Sequence, residues 1–142
     1  MKRFRPEYFS IKEWRGDKYV DGVYAESSEN PDLEIEFRLR GISTTLAVEC
    51  KWRQSFERRD KVGLTWASSR QIANYQRFAD ARGLPVFVVI GVGGQPSSPA
   101  ELYVIPLTKL RYPWANAEYL SKYRRASVGV DFFYDYNKNE LR

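Results

Sequence analysis

Residues 32–53, DLEIEFRLRGISTTLAVECKWR, decide the fold. Leu33, Ile35, Phe37 and Leu39 alternate with Asp32, Glu34, Glu36 and Arg38. A period of two makes this a strand with one apolar face. Arg40-Gly41 is a turn signal, and glycine at the second turn position suits a backbone with positive φ. A second strand follows, with Leu46, Val48, Cys50 and Trp52 on its apolar side and Thr45, Ala47, Glu49 and Lys51 on the other. With Arg40 and Gly41 as the two turn residues, Leu33 faces Val48 and Ile35 faces Leu46. A slip of one residue would set apolar against polar side chains along the whole ladder. The same register puts Asp32 opposite Glu49, and Lys51 on the face of Glu49.

Working outward, residues 51–61 (KWRQSFERRDK) read as a basic loop. A helix is expected to start between Thr65 and Ser68, with Ile72, Tyr75, Phe78 and Ala79 at helical spacing. Gly83 suits its C-terminal cap, and Pro85 prevents continuation. Residues 85–92 (PVFVVIGV) form a continuous apolar run, the mark of a strand buried on both faces. Gly91-Val92-Gly93-Gly94 is a strand-end turn, since no helix or complete dinucleotide fingerprint follows. Residues 101–107 read as a further strand, 113–125 as a second helix and 128–136 as a last strand. Lys122, Arg124 and Arg125 fall near the C-terminus of that second helix, where its dipole favours cations. The first 30 residues are weakly patterned, apart from a short strand at 19–24. The expectation is one α/β domain over residues 1–142, with a central mixed sheet flanked by helices. Its core would span about residues 19–107, with a C-terminal extension over 108–142.

Composition narrows the chemistry. The chain has 142 residues, no His and one Cys. This excludes Ser-His-Asp triads, His bases, His-metal nuclease sites, Cys/His zinc sites and internal disulfides. Lys+Arg number 23 (15 Arg and 8 Lys) against 18 Asp+Glu, for a net charge of +5. Arginine is favoured where a planar fork grips phosphate or carboxylate. With 15% aromatics, the balance fits either nucleic-acid binding or a basic protein with an aromatic core. No signal peptide or bilayer-length apolar run is visible, so a cytoplasmic protein without membrane contact is expected.

Pro31-Asp32 followed by Glu49-Cys50-Lys51 resembles the signature of the PD-(D/E)XK nuclease superfamily, in which an Asp opens one strand and a Glu-x-Lys lies on the next. The helix after the basic loop carries Gln71-Ile72-Ala73-Asn74-Tyr75, which is similar to the Gln-x-x-x-Tyr motif of the RecB-type branch. The resemblance covers roughly residues 19–92. It implies a restriction-endonuclease-like fold and a DNA endonuclease or exonuclease dependent on Mg²⁺ or Mn²⁺. Asp32 and Glu49 would bind the metal with the Cys50 backbone carbonyl, and Lys51 would be the catalytic cation. Gln71 and Tyr75 would support the site. Many members carry an extra upstream acid. Glu26 is the choice here among Glu7, Glu13, Glu26 and Glu29, while the His that RecB-type enzymes often use upstream has no counterpart.

These residue types suit that chemistry. Mg²⁺ takes hard oxygen ligands and few of them from protein, and it serves both nucleophile and developing charge. Lys51 would orient water or neutralise charge on phosphate. Arg53, Arg58, Arg59, Lys61 and Arg70 are candidates for nucleic-acid contacts, to DNA or to RNA. Each assignment has a plainer counterpart. Asp32, Glu49 and Lys51 also fit the solvated face of a hairpin, as do Glu34 and Glu36, which share Asp32's face and are otherwise unexpected ligands. Ser68-Ser69-Arg70-Gln71 is also a capping box. Tyr75 fits a core aromatic, Cys50 a buried small hydrophobe, and the basic loop a solvated one. The alternative functions are a nucleic-acid-binding protein on the same fold that cuts nothing, and a small interaction domain, with a homodimer through the aromatic C-terminal segment.

Overall fold

The computed structural model describes residues 3–14, 19–20, 23–24 and 30–142. In chain order its strands are β1 (Phe9–Trp14), β2 (Tyr19–Val20), β3 (Val23–Tyr24), β4 (Leu33–Leu39), β5 (Ile42–Arg53), β6 (Glu57–Arg58) and β7 (Val62–Thr65). Helix α1 (Ser69–Arg82) follows, then β8 (Val86–Val92), β9 (Glu101–Pro106), β10 (Trp114–Asn116), the short α2 (Ala117–Ser121), β11 (Tyr134–Asp135) and β12 (Glu140–Leu141).

The β4–β5 hairpin has the register its sequence requires. Leu33 pairs with Val48 and Ile35 with Leu46. Arg40 and Gly41 make the turn with φ of 51° and 79°, the doubly positive pair that matches strand twist in a two-residue hairpin. Five strands form the main sheet in the order β1-β4-β5-β8-β9. The β5–β8 pair is parallel and the others are antiparallel. A parallel pair needs a crossover, and the segment carrying α1 supplies it.

Helix α1 starts and stops on local chemistry. Ser68 and Gln71 form a reciprocal capping box, and Gly83 ends the helix at φ 61° in the left-handed region. Its Ile72, Tyr75 and Phe78 are buried against Ala47, Val86, Val88 and Ile90 on one face of the sheet. The opposite face carries Leu33, Ile35, Phe37, Val48, Phe87 and Val89, covered by Phe4, Phe132, Tyr134 and Leu141. Both faces are therefore covered, which is why all seven residues of β8 are buried. The edge strand β1 and residues 132–141 thus join the core from either side of the expected 19–107 span.

Several expectations are corrected. β1 was not foreseen: only Phe9 is buried and the other five residues are exposed, so no alternation marks it. The short strand at 19–24 is a small hairpin of two two-residue strands. The basic stretch after Lys51 is not all loop, since β6 and β7 pair within it and β10 completes a three-stranded sheet. The expected helix over 113–125 shrinks to α2, because residues 114–116 are taken by pairing with β7 and Asn116 caps the helix start. Arg124 and Arg125 thus lie beyond it. In place of a strand over 128–136 there is the β11–β12 hairpin. Cys50 is exposed, not buried: the aromatic cover sits over the Phe37 and Phe87 part of that face, and Cys50 lies past it toward the strand end. Glu34 and Glu36 are buried rather than solvated. No described helix is long and apolar enough to cross a membrane.

Candidate active site

The register of the hairpin brings two carboxylates to one strand end. The Asp32 N–H donates to Glu49 Oε1 at 3.1 Å, and the Cys50 N–H donates to Asp32 Oδ2 at 2.9 Å. Each acid is thus fixed by the backbone beside the other. Asp32 is 7% exposed and Glu49 is fully buried. Burying a carboxylate is costly unless charge and hydrogen bonds compensate it. Here the compensation is dense: the Tyr75 hydroxyl donates to Glu49 Oε2 at 2.9 Å, and Lys51 Nζ lies 3.2 Å from the same oxygen. Lys51 also sits 5.7 Å from the centroid of the Tyr75 ring. The Lys51 side chain keeps 11% of its surface exposed against none for Glu49, so the lysine is on the solvent side of the pair.

Neighbouring acids are engaged elsewhere. Glu34 pairs with Arg82 in the last turn of α1 at 2.6 Å. Glu36 bonds Arg38, Ser43 and Lys12; the Arg38 hydrogen bond first, then those from Lys12 and Ser43, hold its carboxyl down at about 2. Neither points to a shared ligand set with Asp32. Glu26 lies outside the described residues.

Tyr75 reaches Glu49, but Gln71, one turn earlier on the helix, is turned to its own helix start. Its Oε1 accepts from the Ser68 N–H at 2.9 Å while the Ser68 hydroxyl accepts from the Gln71 N–H. Arg53 is redirected as well. Its guanidinium donates to the carbonyls of Thr65 (2.9 Å), Trp66 (3.0 Å) and Trp52 (2.8 Å), tying the end of β5 to the entry of α1. Arg58 and Lys61 are exposed on the β6–β7 hairpin, and Arg70 is exposed in the first turn of α1. Arg59 stacks on the Trp114 ring at 4.2 Å. One contributor escaped the sequence reading. Trp66 is fully buried and stacks on Tyr75, with ring centroids 6.2 Å apart. It sits between β7 and α1 with no periodic signal to single it out.

The donors suit a hard divalent cation. Asp32 and Glu49 offer carboxylate oxygens. In an extended strand a residue's N–H and C=O project to the same edge, so the Cys50 carbonyl lies on the side where its N–H meets Asp32. Among the described residues no group of three or more His, Cys, Asp and Glu forms. Two carboxylates and a backbone oxygen are nevertheless a sufficient protein share for Mg²⁺, which keeps several waters.

Comparison with solved structures decides the fold. A Holliday junction resolvase from the archaeal hyperthermophile Archaeoglobus fulgidus superposes with a TM-score of 0.51 at 18% identity, over 80% of this chain and 79% of that one. The fold is restriction-endonuclease-like. No family model matches the chain, and no curated protein matches it.

Proposed function

We propose that this chain is a Mg²⁺- or Mn²⁺-dependent nuclease that hydrolyses phosphodiester bonds in DNA, of the PD-(D/E)XK class. One observation carries the reading: a fully buried Glu49, bonded at once by the Asp32 amide, the Tyr75 hydroxyl and the Lys51 ammonium, just past the last β4–β5 pair, Leu33 with Val48. A buried ion pair is a poor device for stability alone, and buried charged clusters of this kind are candidates for chemistry. The likeness in fold to a Holliday junction resolvase adds branched DNA to the substrates worth testing.

Asp32, Glu49 and the Cys50 carbonyl would hold the cation, which when bound supplies Lewis acidity to a phosphodiester and acidifies water. The protein's own groups do the rest. Backbone amides hold Asp32 and Glu49 in place before substrate arrives. Lys51 presents its ammonium at the solvent edge of the cluster, where it orients the attacking water or meets the charge developing on phosphate. Tyr75 positions Glu49 and shares its second oxygen with Lys51. Arg58, Arg59 and Lys61 on the β6–β7 hairpin, with Arg70, supply contacts to backbone phosphates, so binding weakens steeply with salt. Of the Gln-x-x-x-Tyr resemblance, the Tyr serves the site and the Gln serves the helix cap.

The test is a cleavage panel of single-stranded, duplex, branched and closed circular DNA with Mg²⁺ or Mn²⁺. The expected result is metal-dependent cutting that Asp32→Ala and Lys51→Ala abolish; cutting of closed circles identifies an endonuclease. A second readout needs no turnover: Mn²⁺ raises the Tm of the wild type but not of Asp32→Ala. Absence of cleavage on every substrate, or cleavage that survives both substitutions, would sink the proposal.

A further inference from the structure

The turn leading into β10, with β10 itself and α2, lines an open surface cleft of about 490 Å³ that the nuclease reading leaves unused. Its walls include Tyr112, Trp114 and Tyr119, and Lys109 and Arg111 line it with them. Tyr112 is 73% exposed, the highest value among the exposed large apolar side chains of the described residues. Its ring stands at the cleft in water, although burying such apolar surface is favourable.

The pocket is held firmly. The Tyr112 carbonyl accepts from Trp66 Nε1 at 2.8 Å, and the Tyr119 hydroxyl donates to the Lys109 carbonyl at 2.6 Å. The Trp114 indole lies flush against Gly63 of β7, where an added Cβ would come within 2.7 Å of the ring. Arg59 then covers Trp114 at 4.2 Å. Trp66 is also the ring stacked on Tyr75, which holds Glu49. Two consecutive side chains therefore tie the pocket to the candidate catalytic carboxylate.

Aromatic faces interleaved with cations bind a nucleobase and its phosphates: the base stacks whatever its identity, and the cations track the backbone. Bases inside a duplex are already stacked and turned inward, so such a pocket selects unpaired ones. We infer that this cleft receives an unpaired base of the DNA engaged at the candidate active site, with Tyr112 as the stacking face and Lys109 and Arg111 on the flanking phosphates. The inference rests on the nuclease reading and names its substrate class: DNA with a single-stranded or branched segment beside the cut.

The experiment is equilibrium binding by fluorescence anisotropy, with the full chain in EDTA so that no strand is cut. Three probes share one duplex: blunt, with a single-stranded tail, and with an abasic tail of equal length. The wild type should bind the tail with bases most tightly. Tyr112→Ala should weaken that probe alone by about tenfold or more, and Tyr112→Phe should restore it. Equal binding of the abasic and base-bearing tails overturns the inference. So does a tail preference that survives Tyr112→Ala, or a loss spread equally over all three probes. The two readings fail separately: metal-dependent cleavage without tail preference removes only the pocket, whereas tail preference without cleavage on any DNA removes only the nuclease.

Discussion

Glu49 has no exposed surface, and three donors converge on its two oxygens. Removing one leaves a buried charge short of compensation, which costs more than the bond itself gained. Tyr75→Phe should therefore lower unfolding free energy by about 1.5–3 kcal/mol, measured in urea, and should slow metal-dependent cleavage at temperatures where the variant is folded. A stability loss with unchanged cleavage would make Tyr75 a packing residue. Glu36 is a separate case. Its carboxyl ordinarily titrates near 4.5 and is held at about 2, chiefly by the Arg38 hydrogen bond, then by Lys12 and Ser43. A carboxyl depressed in the folded state adds stability that is complete above its unfolded value and lost as pH falls through the folded one. The Tm gap between wild type and Glu36→Gln should hold from neutral pH down to about 4.5 and close progressively as pH approaches 2. A gap unchanged across that range would mean that the ion pairs do not set the stability.

At the scale of elements, the hairpin and the helix were the legible parts. The β4–β5 register follows from alternation and a two-residue turn, both local. So do the limits of α1, because Ser68 and Gly83 cap it with side-chain and backbone chemistry within one turn. The capping box also explains why Gln71, although correctly spaced from Tyr75, is turned elsewhere: its carboxamide oxygen is held at its own helix start by the Ser68 amide. Ser68→Ala should lower stability by about 0.5–2 kcal/mol and Gln71→Ala by about 0.5–1.5 kcal/mol, with cleavage by the folded fraction unchanged. A cleavage defect in Gln71→Ala larger than its melting curve explains would return Gln71 to the site. The illegible elements are the short ones. β6, β7, β10, β11 and β12 have two to four residues each, too few for any periodicity to stand out.

Across the whole molecule, the sheet is covered by different means on its two sides. Helix α1 covers the face that carries Glu49 and Lys51. Segments from both termini cover the other, where Phe4 stacks on Phe132 at 4.7 Å and Phe37 meets Tyr134 at 5.5 Å. Residues 132–141 are therefore part of the core and not an appendage. Deleting residues 132–142 strips Phe132, Tyr134 and Leu141 from buried positions, each worth about 2–5 kcal/mol when truncated in a core. Together these losses are comparable to the whole usual margin of a domain, about 5–15 kcal/mol. The truncated chain should lose its cooperative thermal transition; retention of a sharp melt would show that the aromatic cover is dispensable.

The sequence by itself determined the pairing of Asp32 with Glu49, the placement of Lys51 beside them and the extent of α1, because a period of two, a two-residue turn and a pair of caps act over a few residues. Only the tertiary structure decided that Glu49 is fully buried, that Tyr75 and not Gln71 meets it, that Arg53 serves three carbonyls, and that the chain's two ends complete the core. Those outcomes depend on which surfaces remote segments cover, and contact between remote segments leaves no periodic trace in the residues that make it.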